Sequence, residues 1–199
     1  MNFKINEVVM AITHTQYFKN IFTETQWSYL DALVKQVIEH ESLEYIDKGD
    51  SRNETTKLAV YRFMTRKYGI STLVNILMSN WLLKIFEESH FIAKIEASSG
   101  IDNLELQRIQ LNIMKPGDFV TAHTDSESDP SYRVSIVIRT KSDYTGGELV
   151  VYEGEDVKKF HQPTHSLLIM EPSNLHEVLP VISGSRNSIC VFMGTNLQT

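Results

Sequence analysis

What most constrains this chain is a change of hydrophobic period near residue 90. From His90 onward the sequence breaks into short blocks rich in Val, Ile and aromatic side chains, at 90–97, 105–114, 132–140, 148–153, 166–171, 176–182 and 188–194. Between them stand Ser98-Ser99-Gly100, Lys115-Pro116-Gly117-Asp118, Gly146-Gly147, Gln162-Pro163 and Ser183-Gly184, residue types that set turns. Seven or eight short strands at this spacing predict a sandwich or a barrel.

The first half reads differently. Thr23 with Gln26 forms an S/T-x-x-E/Q start signal, after which Trp27, Leu30, Leu33, Val34, Val37 and Ile38 recur at helical spacing, predicting a helix over 24–40. The polar run Asp47 to Asn53 predicts a loop, Thr55 to Tyr68 a shorter helix ended by Gly69, and Leu73 to Glu88 a third helix. Helices ahead of a strand block pack on one outer face of its sheet, an α+β arrangement, and the two Trp residues read as helix-to-sheet packing. The 199 residues are expected to form one domain, with 1–89 mainly helical support and 90–199 the barrel.

Charge narrows the function classes. With 19 basic and 25 acidic side chains the formal charge is −6 and the pI near 5.6, the opposite of a nucleic-acid binder's footprint. No run approaches the roughly 18 apolar residues that a spanning helix needs, so no membrane partner is expected. The start Met1-Asn2-Phe3-Lys4 lacks a signal peptide's apolar stretch, and the lone Cys190 has no internal disulfide partner, which together predict a cytoplasmic protein. Cys190, set among Ile189, Val191 and Phe192, reads as an inert core thiol.

The chemistry-bearing residues are few. In an extended segment His123 and Asp125 point to the same side and can reach one ion. Alone the triplet is weak, since chance supplies roughly 0.3 such H-x-D triplets at this composition. His176, on a different predicted strand, adds a second imidazole. Two His and one carboxylate on one face of an octahedral ion leave three positions open, the arrangement of non-haem Fe(II) oxygenases. Arg186, just before the last strand, can grip a carboxylate with two parallel bonds, and Ser188, two residues on, faces the same way.

These residues, together with Gly146-Gly147-Glu148-Leu149-Val150-Val151 and the block Leu167 to Val181, resemble the Fe(II)/2-oxoglutarate-dependent dioxygenases. The nearer likeness is to the prolyl 4-hydroxylase-like branch and its bacterial PKHD-type hydroxylases, over about residues 105–195. The resemblance implies a double-stranded β-helix, or jelly roll, with His123, Asp125 and His176 as catalytic iron ligands. Arg186, assisted by Ser188, would hold the distal carboxylate of 2-oxoglutarate. Implied with them are Fe(II), 2-oxoglutarate as cosubstrate, O2, and ascorbate as a candidate reductant. The implied reaction decarboxylates 2-oxoglutarate to succinate and CO2 and hydroxylates an unactivated C–H bond of a small molecule, an amino acid or a biosynthetic intermediate. A peptidyl substrate and a non-enzymatic cupin-like metal barrel are the alternatives. Because Asp125 is a carboxylate, where halogenating relatives have a small residue, hydroxylation is favoured.

The chain departs from the family pattern at three places. The tyrosine that often bonds the cosubstrate falls at Met114, leaving Asn112, Arg133 or Ser135 as substitutes. The turn before strand 167–170 has Pro163-Thr164-His165 where glycine is usual, which predicts a positive φ at His165. A strand that usually ends Tyr-Leu-Asn ends Val137-Ile138-Arg139. Of the remaining histidines, His161 and His165 have an i, i+4 spacing that suits zinc on a helix, but Pro163 argues against one; His14, His40 and His90 read as structural or surface residues. The acidic run Ser126 to Pro130 should lie at the barrel mouth, where its carboxylates would either favour a cationic substrate or form an ordinary solvated loop.

Overall fold

The computed structural model describes residues 15–18, 20–49 and 55–195. His14, the chain start and residues 50–53 of the expected loop lie outside the described residues. The strands are β1 (Gln16–Phe18), β2 (Glu44–Lys48), β3 (Thr55–Lys67), β4 (Ile70–Leu73), β5 (Leu104–Met114), β6 (Phe119–His123), β7 (Tyr132–Arg139), β8 (Tyr144–Gly146), β9 (Leu149–Glu153), β10 (Asp156–Phe160), β11 (Ser166–Met170), β12 (Leu175–Val178), β13 (Val181–Gly184) and β14 (Arg186–Thr195). Three helices join them, α1 (Glu24–His40), α2 (Ile76–Glu88) and α3 (Phe91–Ser99).

The main sheet runs β1-β11-β7-β14-β5-β3-β6-β12-β9-β10, with β2 and β4 also pairing β3, and β13 and β8 form a separate pair. The long strand β3 makes the sheet curl. It pairs β5 through Ala59 to Met64 and β6 through Thr56 and Lys57, so it passes from one wall of the jelly roll to the other. Strict alternation then sorts side chains between two cores. In β5 and β14, Ile109, Leu111, Ile113, Ile189, Val191 and Met193 face the helices and join Leu30, Leu33, Leu82, Phe91 and Ile95. The opposite face turns inward, where Leu58, Val60, Met114, Val151, Leu168 and Met170 form a second apolar cluster.

The first helix forms as its start signal predicts. Thr23 Oγ1 accepts from Gln26 N–H at 3.3 Å and Gln26 Oε1 accepts from Thr23 N–H at 2.9 Å, a complete capping box. Trp27, Leu30, Leu33, Val34 and Val37 are buried, whereas Ile38 is exposed. The helix expected over Leu73 to Glu88 is α2.

Two expected elements are of the other type. The segment 55–68 is strand β3, not a helix. Its residues alternate, with Leu58 and Val60 inward and Tyr61 outward, and a register shift between Arg62 and Met64 keeps Phe63 on the helix side. The block 90–97 is not a strand but the body of α3, whose buried Phe91, Ile95 and Ser99 recur every four residues. His90, at φ 53°, breaks the chain between α2 and α3. The block 176–182 is divided between β12 and β13.

The strained turn before β11 has its predicted conformation, with His165 at φ 57°. Its ring stacks on Trp27 at 5.0 Å and its Nε2 lies 2.8 Å from Asp31 Oδ2, while Asp31 Oδ1 accepts from Lys141 N–H. One side chain thus ties α1 to the ends of β7 and β11. His165→Ala should lower stability by roughly 1–2 kcal/mol through the lost hydrogen bond and ring contact. Thermal denaturation should read this as a fall in Tm of about 2–8 °C at this chain length.

Candidate metal and anion site

β6 and β12 are neighbours, and their register sets His176 directly across from His123. Asp125 follows β6 as the first residue of a short 3-10 turn, Asp125–Glu127, which swings its carboxylate back toward both rings. Asp125 Oδ1 lies 3.7 Å from His123 Nε2 and Oδ2 lies 3.8 Å from His176 Nε2, and one donor atom from each residue falls within 4.8 Å of the others. His176 and Asp125 are buried, and His123 is half-buried.

Hydrogen bonds behind the rings fix their tautomers. His123 Nδ1 is 2.9 Å from Thr121 O and His176 Nδ1 is 2.9 Å from Asn174 O. A carbonyl only accepts, so each Nδ1 carries the proton and each Nε2 turns its lone pair toward Asp125. Asp125 Oδ2 is buried without a hydrogen-bond partner. Burial alone would raise the Asp125 pKa, but in the metal-free protein His176 and His123, when protonated, outweigh it and hold the carboxyl below its ordinary range. Two imidazole lone pairs and an ionised carboxylate oxygen lacking a partner converge as a divalent transition metal requires, and the donor set suits Fe(II).

At the other end of the same inner face Arg186 opens β14. It is buried, donates to Ser188 Oγ at 2.9 Å and rests against Met114 Sδ at 3.8 Å, and its Nε–H has no partner. Two glycines make this placement possible. A side chain on Gly147, at φ +62°, would press on Arg186 Cδ at 3.1 Å, and one on Gly184, at φ +77°, would collide with the Asp143 carbonyl. A buried guanidinium with an unused N–H beside a hydroxyl is ready for a carboxylate. The arrangement therefore fits both an Fe(II) ion and a dicarboxylic acid.

One cavity of about 260 Å³ holds His123, Asp125, His176 and Arg186 in its lining. Of the three substitutes for the missing tyrosine, Asn112 and Ser135 line it, whereas Arg133 donates to Pro130 O at 2.8 Å and Tyr132 O at 3.0 Å. Cys190 also faces the cavity, where it meets Asn112 Nδ2 at 3.4 Å; burial pushes its pKa up to about 12, so the thiol stays protonated. In the acidic run, Asp129 is held by Arg66 at 2.6 Å and accepts from Ser131, so its charge is used within the protein. His161 and His165 form no metal cluster among the described residues.

Sequence reasoning passed over a polar row on β5. Arg108 Nε–H donates to Gln110 Oε1 at 3.0 Å and Gln110 Nε2–H donates to Asn112 Oδ1 at 2.8 Å. Across the register, Phe192, Cys190, Ser188 and Arg186 of β14 face Arg108, Gln110, Asn112 and Met114. The signal was present as Arg108, Gln110 and Asn112 alternating with the apolar Ile109, Leu111 and Ile113.

A curled antiparallel sheet with two His and one carboxylate converging on its inner face defines a jelly-roll fold with a candidate metal site. Residues 109–194, the segment that holds these side chains, match the model of the 2OG-Fe(II) oxygenase superfamily. That superfamily implies Fe(II) and 2-oxoglutarate. No curated protein matches the chain. Among solved structures, a 2OG-Fe(II) oxygenase family oxidoreductase from Burkholderia pseudomallei superposes with a TM-score of 0.80 and 24% identity, over 93% of this chain and 89% of that one. A Trichoplax adhaerens prolyl hydroxylase, solved with a hypoxia inducible factor peptide fragment, gives 0.65 and 14% over 92% and 84%. The epimerase SnoN from nogalamycin biosynthesis, described as non-haem and α-ketoglutarate-dependent, gives 0.70 and 9% over 91% and 77%.

Proposed function

We propose that this protein is an Fe(II)/2-oxoglutarate-dependent hydroxylase acting on a small polar molecule such as an amino acid or biosynthetic intermediate. The observation that carries the reading is the presence of both chemical ends of the reaction, the His123–Asp125–His176 cluster and Arg186, in one cavity of about 260 Å³. With Fe(II), 2-oxoglutarate and O2 bound, the site would supply the oxidising chemistry that places one oxygen atom of O2 in the substrate's new hydroxyl and the other in succinate, with release of CO2.

The chain's own groups do the rest. His123, Asp125 and His176 hold the ion on one face. Arg186, braced by Ser188, fixes the distal carboxylate, and Met114 packs an apolar sulfur beside it. Val120, Leu149, Met170 and Val178 contribute an apolar part of the cavity wall. A small substrate is favoured by the cavity volume of about 260 Å³, with Glu44, Ile46 and Lys48 of β2 in its lining. Glu44, Lys48, Arg62 and Arg108 set charges of both signs around it, with Glu44 paired to Arg62, which suits a molecule that itself carries both charges. A metal barrel of another kind is disfavoured, because it has no use for Arg186 and Ser188 in register with the metal cluster.

Anaerobic titration with Fe(II) and then 2-oxoglutarate tests this. The expected result is a weak visible charge-transfer band, followed in air by succinate release stimulated by the right amino acid in a substrate panel. Iron binding with no band on adding 2-oxoglutarate would make the protein a metal barrel of another kind.

A further inference from the structure

A second buried arginine stands beside Arg186. Arg139, the last residue of β7, sits directly across from Ser188 in the β7–β14 register, and Ser188 Oγ is the group that accepts from Arg186. Opposed residues of an antiparallel pair have Cβ atoms about 4.5–5.5 Å apart, so both arginines rise from adjoining positions on one face. Both are buried, at 2% and 3% exposure.

Among the described residues no acid lies within ion-pair distance of either one. Arg139 donates to Thr140 O at 2.6 Å, to Asn187 O at 3.3 Å and to Ser142, and its guanidinium lies 4.4 Å from the centre of the Tyr144 ring. All of these partners are neutral, and Arg139 Nε, like Arg186 Nε, has none. Among the described residues neither arginine makes an ion pair; Asp143 acts on Arg139 from beyond contact distance. Burial, chiefly, together with the neighbouring Arg186, holds Arg139 below the ordinary arginine range against the opposing pull of Tyr144 and Asp143. Two buried like charges side by side are costly unless an anion joins them.

We propose that Arg139 is a second cation for the distal carboxylate of 2-oxoglutarate, acting through its field beside Arg186 so that the deep end of the cavity selects 2-oxo acids with an anionic tail. This rests on the reading of Arg186 as the cosubstrate anchor. The turn that Arg139 binds through Thr140 and Ser142 is a separate, structural role, and substitutions that keep or remove the charge separate the two.

Wild type, Arg139→Gln and Arg139→Lys are titrated calorimetrically with 2-oxoglutarate and with 2-oxopentanoate, whose tail ends in a methyl group, in the presence of Mn(II) as a redox-inert stand-in. Both variants lose the guanidinium fork on the turn and should melt at similarly lowered temperatures. Only Arg139→Gln should weaken 2-oxoglutarate binding at least tenfold and compress its preference over 2-oxopentanoate; Arg139→Lys should stay within about threefold of wild type. Equal losses in both variants would reduce Arg139 to a turn brace, and no loss in either would remove it from the site. Asp143→Asn, which leaves the fork in place, should tighten 2-oxoglutarate at least twofold at low ionic strength, and unchanged binding there also overturns the proposal. A wild-type protein that binds no 2-oxoglutarate overturns the Arg186 reading itself, an outcome distinct from the others.

Discussion

The His176→Ala variant is expected to release succinate no faster than the protein-free background. His176 is one of two imidazoles whose lone pair faces Asp125, and the 2.9 Å bond from its Nδ1 to Asn174 O leaves that nitrogen no other orientation. Truncation removes a third of the donor set. Metal affinity should fall by more than the roughly 10–100-fold that loss of a supporting partner behind a ligand costs. The fold should survive, because β12 is held to both β6 and β9 by backbone bonds that the substitution leaves alone. Equilibrium dialysis against Fe(II), circular dichroism and succinate assay, run together, separate a lost ligand from a lost fold. Near wild-type turnover in a folded variant would sink the metal assignment.

The cluster was legible in the sequence because its chemistry depends on local spacing. His123 and Asp125 share a face through a two-residue step, and Arg186 and Ser188 do the same, so no knowledge of tertiary structure was needed beyond the likelihood that strands bring His176 near. The helix over 24–40 was legible for a like reason, since Thr23 and Gln26 close a box within one turn. The segment 55–68 was misread because it is buried on both faces: Leu58 and Val60 serve the inner core, Tyr61 and Phe63 the outer one, and the register shift near Arg62 breaks the period that would mark a strand. The segment 90–97 misled in the opposite sense, its β-branched and aromatic residues suggesting a strand while the four-residue recurrence of Phe91, Ile95 and Ser99 belongs to a helix. Arg139 could not be found from the chain alone. A charged residue at a strand end ordinarily points to water, and only the β7–β14 register reveals that it is buried beside Arg186.

Arg186→Lys is expected to raise the 2-oxoglutarate requirement at least tenfold while leaving metal affinity close to wild type. A charge-assisted hydrogen bond contributes roughly 1.5–3 kcal/mol, which corresponds to about 10–150-fold in affinity if one such bond is lost. The guanidinium now spends one N–H on Ser188 Oγ and holds its Nε–H without a partner, so it can brace itself and still present donors to a carboxylate. Lysine brings the charge but not the planar fork, and cannot do both from one nitrogen. Because Arg186 stands on β14, away from the β6 and β12 strands that carry the histidines, the loss should fall on cosubstrate affinity. Saturating 2-oxoglutarate should then restore much of kcat. A variant whose 2-oxoglutarate dependence matches wild type would show that the cosubstrate is anchored elsewhere, and the two buried arginines would need a different anion.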